Sequence, residues 1–269
     1  MAFTNLSTWV GLRGIVIDGT LLYKTWQSFF GFYIMKIVTV ILALVLSACS
    51  SNAITDTFSD NPFQHTELLL NAEQSIETLI NIEGHRIPQE LLSHAKAFVV
   101  FPDLVKAALI AGARVGKGIV VVRSPKTGKW SPPAFIKSRQ ASYGFQAGIQ
   151  KAEIVLVVVT KKGLRELFKT QFDLGAGPEL AIGPLGKKVD LNFQKILLNK
   201  DIYAYSNIEG LFAGLSLEGT VINSDNKANR RYYQQRVNNR ILLSGHKDVK
   251  VPASAQAFLQ RLNKLTPPP

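Results

Sequence analysis

The stretch Ser142-Tyr143-Gly144-Phe145-Gln146-Ala147-Gly148-Ile149-Gln150-Lys151-Ala152-Glu153-Ile154-Val155-Leu156-Val157-Val158-Val159 changes its pattern halfway. In its first half Tyr143, Phe145, Ala147 and Ile149 alternate with Ser142, Gly144, Gln146, Gly148 and Gln150, the period of two of a half-buried strand. Its second half, Ile154 to Val159, is apolar at every position and predicts a strand buried on both faces. The centre of this fold is therefore a sheet.

Working outward, Phe98 to Phe101 and Ile119 to Val122 read as further short strands, with Gly112, Gly116 and Gly118 between them as a glycine-bent hairpin. Pro125-Lys126-Thr127-Gly128 reads as a turn into a strand around Trp130. Alternation returns at Val189, Leu191 and Phe193, and again at Leu211, Ala213, Leu215, Leu217 and Val221. Turns separate these strands, and the one helical stretch among them, Lys161 to Lys169, is short. Parallel neighbours need long crossover helices, so the connections are predicted to be mostly antiparallel. Glycines inside the strands predict bulges and strong curvature.

Helical spacing brackets the sheet. Leu69, Ala72, Ile76, Leu79 and Ile80 fall on one face of a helix over Phe63 to Asn81. Pro88 opens a second short helix up to about Ala95. At the other end Phe258, Leu259, Leu262 and Leu265 form the apolar stripe of a helix over Ala253 to Leu265, stopped by Pro267-Pro268-Pro269. The predicted class is α+β: a single domain with a curved, mostly antiparallel, barrel-like sheet flanked by N-terminal and C-terminal helices.

The one cysteine, Cys49, closes Leu46-Ser47-Ala48-Cys49 behind Met35-Lys36 and the apolar run Ile37 to Leu46. This arrangement resembles a bacterial lipobox, which implies cleavage before Cys49 and acylation there. Phe29 to Ala48 is also apolar enough to insert, so an uncleaved anchor is the rival. The expected organisation is residues 1–34 an upstream extension, 35–48 a lipoprotein signal peptide, 49–62 a tether, and 63–266 the domain. The expected location is the bacterial cell envelope, lipid-anchored through Cys49. In a Gram-negative source, Ser50 after Cys49 favours the outer membrane, facing the periplasm.

The chain holds 31 Lys and Arg against 19 Asp and Glu. Such a surplus points to an acidic partner, and for a tethered protein that is the anionic headgroup layer in preference to nucleic acid. The densest source is Lys227, Arg230, Arg231, Arg236 and Arg240, with no acidic residue among them and Tyr232-Tyr233 interleaved. If helical, Lys227 and Arg231 lie one turn apart, and Arg236 and Arg240 likewise. The plain alternative is an ordinary solvated helix. Arg114 and Lys117 on the glycine-rich hairpin form a second, smaller candidate.

Ile87-Pro88-Gln89-Glu90-Leu91-Leu92, Gly116-Lys117-Gly118-Ile119-Val120, Gly144-Phe145-Gln146-Ala147-Gly148, Gly183-Pro184-Leu185-Gly186 and Gly210-Leu211-Phe212-Ala213-Gly214-Leu215-Ser216-Leu217-Glu218-Gly219 together resemble the SYLF domain family. The resemblance runs from about Ile87 to Tyr233. It implies a non-enzymatic module that binds acidic lipids of the phosphoinositide type; the alternative is a protein-interaction or structural envelope module, binding actin as some fungal members do only if it is delivered into a host cell. The resemblance implies membrane contact through a helix at the start of the domain, whereas the helix here carries Glu67, Glu73 and Glu77. Glu153 and Gly177 stand where the family commonly has Asp.

No catalytic constellation is visible. Gly112 to Gly118 lacks the ending of a phosphate loop, and the spacing around Ser216 is one residue too long for a nucleophile elbow. His65, His85, His94 and His246 are scattered without metal-ligand spacing. The expectation is no enzyme, no metal and no cofactor.

Overall fold

The computed structural model describes residues 62–82, 86–108, 111–143, 148–174, 177–183, 200–207, 217 and 219–268. Cys49 and the residues before 62 lie outside them, as do the strands expected around 189–193 and 211–216, and Ser216 itself. The chain divides into the units Met1–Phe58 and Ser59–Pro269, and the described residues all belong to the second.

Helix α1 (Pro62–Asn81) buries Leu69, Ala72, Ile76 and Leu79, the face that the spacing dictates. It packs on the sheet and on two later helices, Asn226–Tyr233 and Ala253–Leu265. Helix α2 (Gln89–His94) follows Pro88, whose fixed φ suits a helix start and whose missing N–H costs nothing there. Its Leu91 and Leu92 are buried.

Among the described residues eight strands follow: β1 (Ala97–Ala108), β2 (Ala111–Val122), β3 (Ala134–Tyr143), β4 (Gly148–Val158), β5 (Gln171–Asp173), β6 (Leu180–Ile182), β7 (Ile202–Ser206) and β8 (Val221–Ser224). Between β4 and β5 lies helix α3 (Lys161–Leu167). The strands form one sheet in the order β5-β8-β3-β2-β1-β4-β7-β6, curled into a half-barrel, with β6–β7 the parallel pair and the other described pairs antiparallel. Ile154 to Val159 is buried throughout, as its unbroken apolar pattern requires.

Three strand boundaries differ from expectation. The alternating stretch 142–150 is not one strand: β3 ends at Tyr143, β4 begins at Gly148, and the two flank the β1–β2 hairpin instead of each other. Trp130 makes one bridge to Arg123 and no strand. Its indole instead lies under the Arg123 guanidinium, 4.4 Å from the ring centre, and donates to Thr266 Oγ1 at 3.0 Å.

The third difference is the length of β1 and of β2, which starts at Ala111, so that Gly112, Gly116 and Gly118 lie inside the strand and not in the turn. Proline lacks the N–H that a central strand must donate, so Pro102 reads as the end of a strand at Phe101. The strand runs on to Ala108 because a bulge absorbs the proline. Phe101 and Pro102 together oppose Gly118 of β2, and the register to β4 shifts at the same point.

The C-terminal part is helical: α4 (Asn226–Tyr233), α5 (Asn239–Leu243) and α6 (Ala253–Leu265). Helix α6 buries Ala255, Phe258 and Leu262. Its Arg261 reaches α1, with Nη2 2.6 Å from Glu77 Oε1 and Nε 3.6 Å from Glu73 Oε1. One guanidinium is thus shared between two of the three acidic side chains on α1, and cancels one of their charges.

Candidate functional site

Two segments far apart in sequence are joined where β5 pairs with β8, Gln171 opposite Asn223. Ser224 N–H donates to Thr170 O at 2.8 Å, which sets the end of α3 against the start of α4. Each neighbouring helix has a side-chain cap on its first N–H groups. Thr160 Oγ1 accepts from Gly163 N–H (3.1 Å) for α3, Asp225 Oδ1 from Ala228 N–H (3.2 Å) for α4, and Asn238 Oδ1 from Ile241 N–H (2.9 Å) for α5.

An open cleft of about 770 Å³ lies between these elements. From the α3 side it is lined by Arg165, Phe168, Lys169 and Thr170, and from the other side by Ser224, Asn226, Asn238, Asn239 and Arg240. Lys169 Nζ lies 2.6 Å from Glu166 Oε2. The nearby Asp225 carboxylate is buried and holds Lys137 at 2.8 Å.

The basic run is exposed at all five positions, Lys227, Arg230, Arg231, Arg236 and Arg240, but it is not one helix. Gln234 has φ 51° and ends α4 in the left-handed region. Lys227 and Arg231 are therefore one turn apart on α4, while Arg236 sits in the connection and Arg240 on α5. The spacing expected for the second pair is lost. The interleaved tyrosines turn inward: Tyr233 OH donates to Pro133 O at 2.7 Å, and Tyr232 packs edge-on against Phe135. Burial pushes both phenols above their ordinary pKa, so they stay neutral anchors.

The hairpin pair is taken apart by strand geometry. Arg114 and Lys117 are three positions apart on β2, so their side chains leave opposite faces. Arg114 is 4% exposed and donates to Gln140 Oε1 on the paired strand. Desolvation lowers its pKa, and a group so buried is not presented to a membrane surface. Lys117 is half-buried. Among the described residues, no three His, Cys, Asp or Glu side chains come together as a metal-binding group.

Arg165 and Lys169 were not singled out by the charge run, yet a signal for them exists. Lys161, Arg165 and Lys169 recur every fourth residue, which places Lys161 and Arg165 on one face of α3; the helix ends at Leu167, short of the expected Lys169, which follows just beyond it. What the spacing cannot tell is that this face meets Arg240, because that depends on the β5–β8 pairing.

A family model described as "Las17-binding protein actin regulator", Ysc84, matches residues 139–265, from β3 to α6, and so covers every element that lines the cleft. The SH3 domain-containing YSC84-like protein 1 of Rattus norvegicus is 33% identical over 181 residues, 67% of this chain and 52% of that protein. This chain belongs to the Ysc84, or SYLF-domain, family. Among other Ysc84 relatives, the Homo sapiens YSC84-like protein 1 is 32% identical over the same shares. Protein YSC84 of Saccharomyces cerevisiae is 32% identical over 179 residues, 65% of this chain and 37% of that protein. The chain thus spans about half the length of the first of these relatives and less of the yeast one. No solved structure matches it. Within the Ysc84 family the described activity is binding and regulation.

Proposed function

We propose that this Ysc84-family domain is a non-enzymatic module that binds acidic phospholipid surfaces, carried by a lipoprotein of the bacterial envelope. The observation that carries the reading is the exposure of Lys227, Arg230, Arg231, Arg236 and Arg240 together on α4, α5 and their connection. Near an anionic surface each such charge contributes about 1 kcal/mol, so three facing the headgroups contribute about 3 kcal/mol. That is roughly a hundredfold in affinity. The Arg261 clamp on Glu73 and Glu77 also lessens the repulsion that α1 would otherwise exert.

The test uses a soluble form beginning at Ser59, the start of the second compact unit. It should pellet with vesicles containing phosphatidylglycerol far better than with phosphatidylcholine vesicles, and less so as salt rises. Arg230→Glu with Arg231→Glu should remove most of the difference. Equal binding to both vesicles would return the run to an ordinary solvated surface.

Anchoring has its own expected outcome. The full chain should be cut before Cys49 and gain acyl mass there, and Cys49→Ala should accumulate uncut. Mass spectrometry of the membrane fraction reads this directly, and an unmodified Cys49 in a soluble product sinks it. A second reading, a protein-interaction module of the actin-regulating kind, is favoured by the description of the family model. Co-sedimentation of the same soluble form with actin filaments separates the two.

A further inference from the structure

The cleft between α3 and α5 offers donors on every side, and its asparagines show why. Asn226 Oδ1 accepts from Asn239 N–H at 3.0 Å, and Asn238 Oδ1 accepts from Ile241 N–H at 2.9 Å. Asn239 Oδ1 accepts from Asn229 Nδ2 at 3.4 Å, and Asn229 is itself oriented by Phe135 N–H, which donates to its Oδ1 at 2.7 Å. Each of the three lining amides thus spends its oxygen on the fold and keeps its NH₂ as a donor. Arg165, Lys169 and Arg240 can only donate. Thr170 and Ser224 add hydroxyls that serve either way. A ligand for this cleft must be rich in acceptors.

Charge narrows the class. Three cations against the one carboxylate of Glu166 leave two net positive charges. A phosphomonoester carries about −1.5 to −2 at neutral pH, so one phosphate balances the site. The volume, about 770 Å³, leaves ample room beyond one phosphate. The rest of the lining is neutral amide and hydroxyl groups around the half-buried ring of Phe168. Amide donors answer hydroxyl oxygens, and an aromatic ring answers the C–H face of a sugar.

We propose that this cleft binds a phosphorylated sugar, with Arg165, Lys169 and Arg240 on the phosphate and the asparagine amides and Phe168 on the ring. The site goes beyond the membrane-surface reading, which needs point charges on α4, α5 and their connection and no cleft; Arg240 alone is common to both. Such a sugar reaches the domain either as the headgroup of a glycolipid or as a free sugar phosphate.

Isothermal titration of the full chain in zwitterionic detergent with glucose 1-phosphate tests the site. Glucose 1-phosphate should bind saturably and at least about tenfold more tightly than either inorganic phosphate or glucose. A hydrogen bond to a charged group sets the scale for one lost contact, about tenfold or more. Arg165→Gln should therefore weaken binding by about that factor. Asn238→Asp keeps the cap of α5, since Asp caps as well as Asn, but turns a donor into a carboxylate, and should weaken binding at least as much. Arg230→Gln, outside the cleft, should change nothing here.

Vesicles carrying monophosphoryl lipid A separate the two sources. If glucose 1-phosphate displaces the full chain's cleft from that headgroup, the ligand is lipid-borne; if it binds without displacing, the ligand is free. Binding no tighter than inorganic phosphate, or unchanged in both Arg165→Gln and Asn238→Asp, overturns the proposal. Failure of the membrane reading looks different, because it is read with phosphatidylglycerol vesicles and Arg230/Arg231.

Discussion

Gly118→Ala should lower the melting temperature of the domain by about 6–12 °C. A Cβ added there would lie 2.3 Å from Val100 O and 2.6 and 2.8 Å from the Phe101 ring carbons Cδ1 and Cε1. The ring could turn at some cost, but the carbonyl belongs to the backbone of a central strand and cannot withdraw without moving the bulge. Overpacking of this kind costs about 1–3 kcal/mol and occasionally more, and with a backbone oxygen as the obstacle the upper end applies. For a domain of this size each kcal/mol is worth about 2–4 °C. Thermal unfolding followed by circular dichroism measures it, and a loss under about 2 °C would mean that β1 yields easily.

Asn229→Ala should be comparably damaging, by about 3 kcal/mol. The side chain is fully buried, at 0% exposure, and ties α4 to β3 by accepting from Phe135 N–H at 2.7 Å. Its removal strands that N–H away from water, and a buried donor without a partner costs about 1–3 kcal/mol. It also leaves Asn239 Oδ1 without its donor and opens a small void. Unlike Gly118→Ala, this change reaches the cleft, because the Asn239 amide is no longer held in one orientation. Chemical denaturation should show the loss of stability, and the titration with glucose 1-phosphate should weaken in the fraction that remains folded. Unchanged stability would mean that water replaces the amide.

The contrast between these two positions shows what the sequence makes legible. The helices at both ends follow from local spacing: Leu69, Ala72, Ile76 and Leu79 are one face by arithmetic, and so are Phe258 and Leu262. The buried strand Ile154–Val158 follows from composition alone. Pro102 does not, because its tolerance in a central strand depends on Gly118, which is close to it only once β1 and β2 have paired. Nor does the break at Gln234, where neither glycine nor proline marks the turn. Tyr233 is drawn inward to Pro133 O, and the chain must reverse behind it. The cleft is the extreme case. The basic residues of α4 and α5 stand out as a run, but their meeting with Arg165 and Lys169 is made by the pairing of two short strands, β5 and β8, of three and four residues. Pattern is weakest in segments that short.

The clamp of Arg261 on Glu77 joins side chains 184 positions apart. Closing so long a loop is entropically dearer than closing a hairpin, so it follows the local pairings in time. The β1–β2 hairpin can form as soon as its own residues exist, whereas α1 waits for its last partner until α6 has been made. The first helix of the domain is thus among the last to be secured. During that interval its apolar face, Leu69 to Leu79, is sheltered by the sheet and α4 without α6, so the face that closes the core at one end is the one left half-covered longest.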